Sequence, residues 1–151
     1  MRRFSVFGVG LCAFLLAPPA SDVAKADVLI AINKSAQSMS VMVDGRERHR
    51  WPVSTGRYGG PPSGAYAPER MERSWYSRKY NWSPMPHAIF FHEGYAIHGT
   101  NYVSRLGRPA SHGCVRLHPS HAAQLFALVR SEGMGRTRIV VSNSALFADR
   151  R

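Results

Sequence analysis

Apolar and polar positions alternate over short distances along most of the chain. Val28 to Ile32 is an apolar run closed by the polar turn Asn33-Lys34-Ser35, and Met39 to Val43 is a second run, ending at Asp44-Gly45. Short runs bounded by turn residues predict strands. Asp-Gly between two of them predicts a two-residue hairpin, because both positions tolerate positive φ. Arg46 to Val53 is the expected return strand. A period of two puts Arg46, Arg48 and Arg50 on one face, either solvated or anion-binding. Ser54 to Gly64 is too rich in Gly and Pro for a helix and reads as a loop. Ala65 to Trp75 predicts a further strand running into a mobile, aromatic and basic stretch, Trp75 to Trp82. Ala88 to Phe91 and Tyr95 to His98 predict two strands separated by His92-Glu93-Gly94, and Arg138 to Ser142 a last one.

One segment has the helical period. From Pro119 to about Ser131, Ala122, Leu125, Phe126 and Val129 recur at i, i+3, i+4 and i+7. Pro at the first turn and Gly133 just past the end are the expected punctuation. The pattern predicts a mainly β domain with one packed helix, no internal repeat and no second domain.

The chain has 151 residues, which is room for one domain. Met1-Arg2-Arg3, the apolar stretch Phe4 to Ala17 and the small-residue site Ala24-Lys25-Ala26 predict a secretory signal over 1–26, with the domain occupying 27–151. The apolar stretch is too short for a membrane-spanning helix, which needs roughly 20 residues. Without Arg2, Arg3, Lys25 and Asp22, 17 Lys and Arg face 8 Asp and Glu, a net +9, and 15 of the cations are Arg. That charge draws a protein towards anionic polymers. For an exported chain acidic envelope material is the expected counterpart, and no nucleic acid is expected. A hydrophobic content of 44% with three Trp excludes disorder.

Cys12 lies in the signal segment, so Cys114 is the one thiol of the exported chain. A lone thiol in an oxidising compartment is an inert buried residue, an intermolecular bridge or a nucleophile. The third reading needs a nearby imidazole to take the proton and donors aimed at a developing oxyanion. His98 and His112 are the local candidates for the base, and the residues alone do not choose between them. Gly113 allows a tight turn before the cysteine. A zinc site from His98, His112, Cys114, His118 and His121 is the competing arrangement, with His118 and His121 on one helix face. The chain lacks a second exported Cys, an H-E-x-x-H and a paired C-x-x-C, so no metal and no other cofactor is expected.

His98-Gly99-Thr100-Asn101 followed by Ser111-His112-Gly113-Cys114-Val115-Arg116-Leu117 resembles the signature of the L,D-transpeptidase family, the YkuD-type catalytic domain. Pro52 to Gly56, Pro62 to Tyr66, Met85-Pro86 and the helix after Leu117 also resemble it, so the likeness runs from about Val28 to Val141. The resemblance implies a β-sandwich of mixed sheets, with one α-helix packed after the catalytic cysteine turn. It implies Cys114 as nucleophile, His98 as base, the Gly99 carbonyl orienting the His98 ring, and His112 and Gly113 in an oxyanion-hole turn. Arg116 stands where some members carry Asn and is assigned to a substrate carboxylate. Ser111, Thr100 and Met85 are placed with it as substrate-binding positions, and the loop Tyr66 to Pro86 as a flap. The implied donor and acceptor are peptidoglycan stem peptides, with an envelope protein as another possible acceptor. An L,D-carboxypeptidase hydrolysing the same acyl-enzyme, and a non-catalytic basic envelope-binding module, remain as alternatives.

Overall fold

A computed structural model describes residues 27–144; the expected signal segment, 1–26, and the last residues of the expected domain lie outside the described residues. Eleven strands and one α-helix follow in chain order among the described residues. They are β1 (Val28–Asn33), β2 (Ser38–Val43), β3 (Arg46–Pro52), β4 (Gly64–Tyr66), β5 (Arg70–Glu72), β6 (Tyr76–Ser77), β7 (Ser83–Pro84), β8 (Ala88–His92), β9 (Tyr95–Gly99), β10 (Val115–Leu117), α1 (Pro119–Glu132) and β11 (Thr137–Ser142). One sheet has the order β3-β2-β1-β11-β4, a second β10-β9-β8-β5, and β6 with β7 forms a separate ribbon. Both larger sheets are mixed: β1 runs parallel to β11 and β10 parallel to β9, and their other pairings are antiparallel.

The two sheets and the helix share one core. Ile30, Ile32 and Val41 of the first sheet cluster with Ile89, Phe91, Ile97 and Val115 of the second and with Leu125 and Val129 of α1. The helix buries Ala122, Leu125, Phe126 and Val129, the four positions its period marks, and ends at Gly133. Asp44 and Gly45 join β2 to β3 with φ of 50° and 75°, the left-handed pair that matches strand twist. No helix among the described residues is long and apolar enough to cross a membrane.

Two expectations are corrected. Ala65 to Trp75 is not one strand: β4 pairs with β11 in the first sheet and β5 with β8 in the second. The break falls at Pro68, which has no N–H for a ladder and a fixed φ, and the chain changes sheets there. Arg46, Arg48 and Arg50 do not share a face. Val41 pairs with His49 and Met42 with Glu47, so Arg48 is an extra residue in the strand. A bulge of that kind shifts the alternation by one and puts Arg46 and Arg50 on opposite faces.

The parallel pair β9–β10 positions the site. Arg116 is the register partner of His98, and Cys114 precedes it by two residues. Parallel neighbours need a long crossover, and the segment from Thr100 to Ser111 supplies it. The spacing between His98 and Cys114 is thus the length of chain that brings both to one face of the second sheet.

Candidate active site

A cleft of about 860 Å³ opens over the β9–β10 face, lined by His98, Cys114 and Arg116. Met85, Ala88, Phe90 and Ala96 form an apolar cluster against Cys114 at its floor. The β6–β7 ribbon supplies one wall through Ser77 to Tyr80 and Ser83-Pro84, so part of the Tyr66–Pro86 loop borders the cleft. Six cationic side chains line the cleft, Arg57, Arg70, Arg78, Lys79, Arg105 and Arg116, against the single carboxylate of Glu93. Such a lining favours an anionic occupant.

His98 is buried, and its Nδ1 lies 2.7 Å from the Gly99 carbonyl oxygen. A carbonyl only accepts, so Nδ1 carries the proton and Nε2 keeps its lone pair. Burial lowers the pKa of His98 from 6.5 to about 4; the Gly99 bond opposes that shift and the Arg116 charge adds to it. The ring is therefore neutral at neutral pH. Burial also pushes the Cys114 thiol up, against the Ala96 backbone hydrogen bond and the charges of Arg116 and Lys79. The cleft thus holds a resting thiol and a neutral imidazole. Gly99 is hemmed in: a Cβ there would lie 3.1 Å from Pro86 and 3.3 Å from Pro119.

The turn before the cysteine is held by Ser111. Its hydroxyl accepts the Gly113 N–H at 3.0 Å and donates to the Cys114 carbonyl at 2.6 Å. Gly113 has a φ of +149°, and a Cβ on it would meet the Tyr95 ring at 2.6 Å. Ser111 is itself anchored, since its N–H donates to the Thr55 carbonyl at 3.0 Å. Thr55 in turn is clamped by the buried amide of Gln37, which accepts the Thr55 N–H at 2.9 Å and donates to its hydroxyl at 2.6 Å.

The remaining expected site residues fall into different surroundings. His112 is exposed, stacked on Tyr80 at 4.5 Å between ring centroids, with Arg57 Nη2 3.4 Å from its Nε2. Thr100 is buried, and its hydroxyl accepts the Tyr102 N–H at 3.1 Å. Met85 is in the floor, and the half-buried Arg116 lies 5.7 Å from the Tyr102 ring. His118 is the N-cap of α1, accepting the Ser120 N–H at Nδ1, while His121 stacks on Trp51. Among the described residues no three His, Cys, Asp or Glu side chains gather as a metal-binding group.

Sequence reading missed Tyr95, Tyr80, Gly56, Gly60 and Gln37. A Cβ on Gly56 would lie 2.9 Å from the Gly113 Cα, and one on Gly60 would lie 3.2 Å from it. Only the two glycines carried a signal, as part of a Gly-rich loop, and nothing local said that this loop backs onto the cysteine turn.

Residues 27–141 match the family model of YkuD, the L,D-transpeptidase catalytic domain. No curated protein matches the chain. Among solved structures, an L,D-transpeptidase from Mycobacterium smegmatis superposes with a TM-score of 0.67 at 26% identity, over 78% of this chain and 59% of that one. The L,D-transpeptidase (Yku) from Stackebrandtia nassauensis gives 0.66 at 25%, over 82% and 60%. An L,D-transpeptidase from Mycobacterium tuberculosis H37Rv gives 0.66 at 22%, over 78% and 58%, a likeness of fold alone. The chain thus spans less than two thirds of the length of these structures.

Proposed function

Because the chain belongs to the L,D-transpeptidase catalytic-domain family, we propose that it is an exported cysteine acyltransferase acting on peptidoglycan tetrapeptide stems. The observation that carries this reading is the His98–Gly99 hydrogen bond. It holds the proton on Nδ1, so the ring that burial keeps neutral offers its Nε2 lone pair in the same cleft as the Cys114 thiol.

Each group then has a role. His98 takes the Sγ proton as Cys114 attacks the carbonyl carbon between the third stem residue and the terminal D-Ala. The carbonyl π electrons move to oxygen. The Gly113 N–H is engaged by Ser111, so donation to the oxyanion falls to the backbone N–H groups of His112 and Cys114, with Gly113 shaping the turn. The C–N bond breaks, D-Ala departs with the proton returned by His98, and a thioester remains on Cys114. An acceptor amine, deprotonated by His98, attacks the thioester, and its carbonyl re-forms as the Cys114 sulfur leaves and regains a proton. A stem amine gives a 3→3 crosslink, and an amine on an envelope protein gives a protein–wall link. The cationic lining, Arg116 included, suits the carboxylates of such stems.

The test is mass spectrometry of the protein with a disaccharide-tetrapeptide, beside Cys114→Ala. A thioester on Cys114 followed by crosslinked dimer is the expected outcome. Tripeptide without crosslink would replace the transferase by a hydrolase. No adduct, with a thiol inert to alkylation, would remove the enzymatic reading altogether.

A further inference from the structure

Trp82 is out of keeping with the rest of the molecule. Trp51 is buried and stacked between His49 and His121, and Trp75 lies edge-on to Phe90 beneath Arg70. Trp82 is 60% exposed at the tip of the β6–β7 ribbon. Its single ring partner among the described residues is the Arg78 guanidinium, 5.6 Å from the centroid. Trp82 and Asn81 also have positive φ, 55° and 50°. For a bulky side chain that conformation is an outlier, and such strain concentrates where a ligand is held. The tip is nevertheless well anchored. The ribbon is paired at Tyr76–Pro84 and Ser77–Ser83, the Ser83 hydroxyl donates to the Tyr80 carbonyl at 2.6 Å, and Tyr80 stacks on His112. An anchored, strained turn presents a large aromatic face to solvent without covering any core.

The same pairing recurs twice. Tyr102, 65% exposed, lines the cleft under Arg116, and Tyr58, 88% exposed, lies under the cleft-lining Arg57. Each of these three exposed rings is thus paired with a guanidinium that lines the cleft, Arg78, Arg116 or Arg57. An aromatic face flanked by fixed donors suits a ligand whose rings have an apolar C–H face and a polar edge. A pyranose chain bearing acetamido groups has that form.

We propose that Trp82, with the cleft-lining Arg78, is a stacking platform for the acetamido-sugar strand of the wall polymer at the edge of the peptide cleft. The proposal rests on the reading of the cleft as a stem-peptide site. A stem is covalently attached to its glycan, so a stem carbonyl at Cys114 brings the sugar strand to this rim. The concave, cation-lined mouth fits a strand lying along it better than it fits a flat bilayer.

The probe is the N-acetylglucosamine hexamer, which has no stem and no charge, titrated calorimetrically into the full chain carrying Cys114→Ala. Saturable binding is expected, weakened about tenfold by Trp82→Ala and largely restored by Trp82→Phe. Circular dichroism checks that each variant folds; if Trp82→Ala does not, Arg78→Ser is read in its place and is expected to weaken binding. No binding of the hexamer, or binding indifferent to both positions, would overturn the platform. So would Trp82-dependent binding of anionic phospholipid vesicles or of an oligodeoxythymidine without binding of the hexamer. Thioester formation on Cys114 of the wild type is scored separately. A thioester without hexamer binding removes the platform and leaves the reaction, whereas neither result leaves only the fold.

Discussion

The hydroxyl of Ser111 accepts the Gly113 N–H at 3.0 Å, so one side chain sets the direction of the peptide unit just ahead of the cysteine. Ser111 is 1% exposed, and the Gly113 N–H is buried with its hydroxyl. Removing it leaves a buried N–H unsatisfied and frees the Cys114 carbonyl. The expected cost of Ser111→Ala is about 2 kcal/mol, or about thirtyfold in acylation rate if felt wholly in the transition state. Ser111→Thr should recover most of it. Stopped-flow acylation of the three proteins checks this; equal rates for Ala and Ser would show that the hydroxyl does not shape the turn.

Gly56 supports the same turn from behind. Its Cβ would stand 2.9 Å from both the Gly113 Cα and the Gly60 carbonyl oxygen, and backbone cannot swing aside as a side chain can. Gly56 has no positive φ, so Gly56→Ala tests crowding alone. A loss of about 1–3 kcal/mol in unfolding free energy is expected, with slower thiol alkylation as the turn is displaced. Denaturant titration and alkylation kinetics read the two effects, and an unchanged alkylation rate would detach Gly56 from the cysteine.

Much of this was legible in the sequence, for local reasons. The β2–β3 hairpin, the β8–β9 pair and α1 follow from periods and turn chemistry that act over a few residues. The single strand expected from Ala65 to Trp75 failed because one proline outweighed the alternation around it. The arginine stripe failed because the bulge at Arg48 leaves no local mark. His98 and Cys114 stood out through their motif, and the register of β9 with β10 accounts for the spacing. Tyr95 against Gly113, Gln37 against Thr55 and Tyr80 against His112 are contacts between distant segments. Periodicity carries no information about them.

Burial of His98 gives the fold a signed dependence on pH. Its pKa is about 4 in the folded protein against 6.5 for the free side chain. Between these values the unfolded chain binds the extra proton, so stability is highest above pH 6.5 and falls as pH drops towards 4. The size is on the order of 3 kcal/mol. His87 and His121 are shifted the same way by burial and steepen the trend, so the variant isolates the contribution of His98. Urea unfolding at about pH 7 and about pH 4.5 should show a smaller difference in His98→Gln than in the wild type. An equal difference in both would mean that the ring is not held neutral by burial. On the proposed mechanism the acid limb of kcat/KM should also lie well below 6.5, because the free enzyme's base sets it.

Arg116 is the register partner of His98, and its charge acts on both His98 and Cys114. It lowers the pKa of His98 and that of Cys114 together. Neutralising it with Arg116→Gln should therefore raise both, with separable consequences. A higher His98 value moves the acid limb of kcat/KM to higher pH. A higher Cys114 value leaves less thiolate at a given pH, so alkylation by iodoacetamide, a neutral reagent, should slow and its rate profile move to higher pH. If Arg116 also meets a substrate carboxylate, KM for the stem should rise while iodoacetamide kinetics stay blind to that loss. A raised KM with both pH profiles unmoved would mean that Arg116 binds substrate without tuning the pair. Shifted profiles with an unchanged KM would assign it the reverse role.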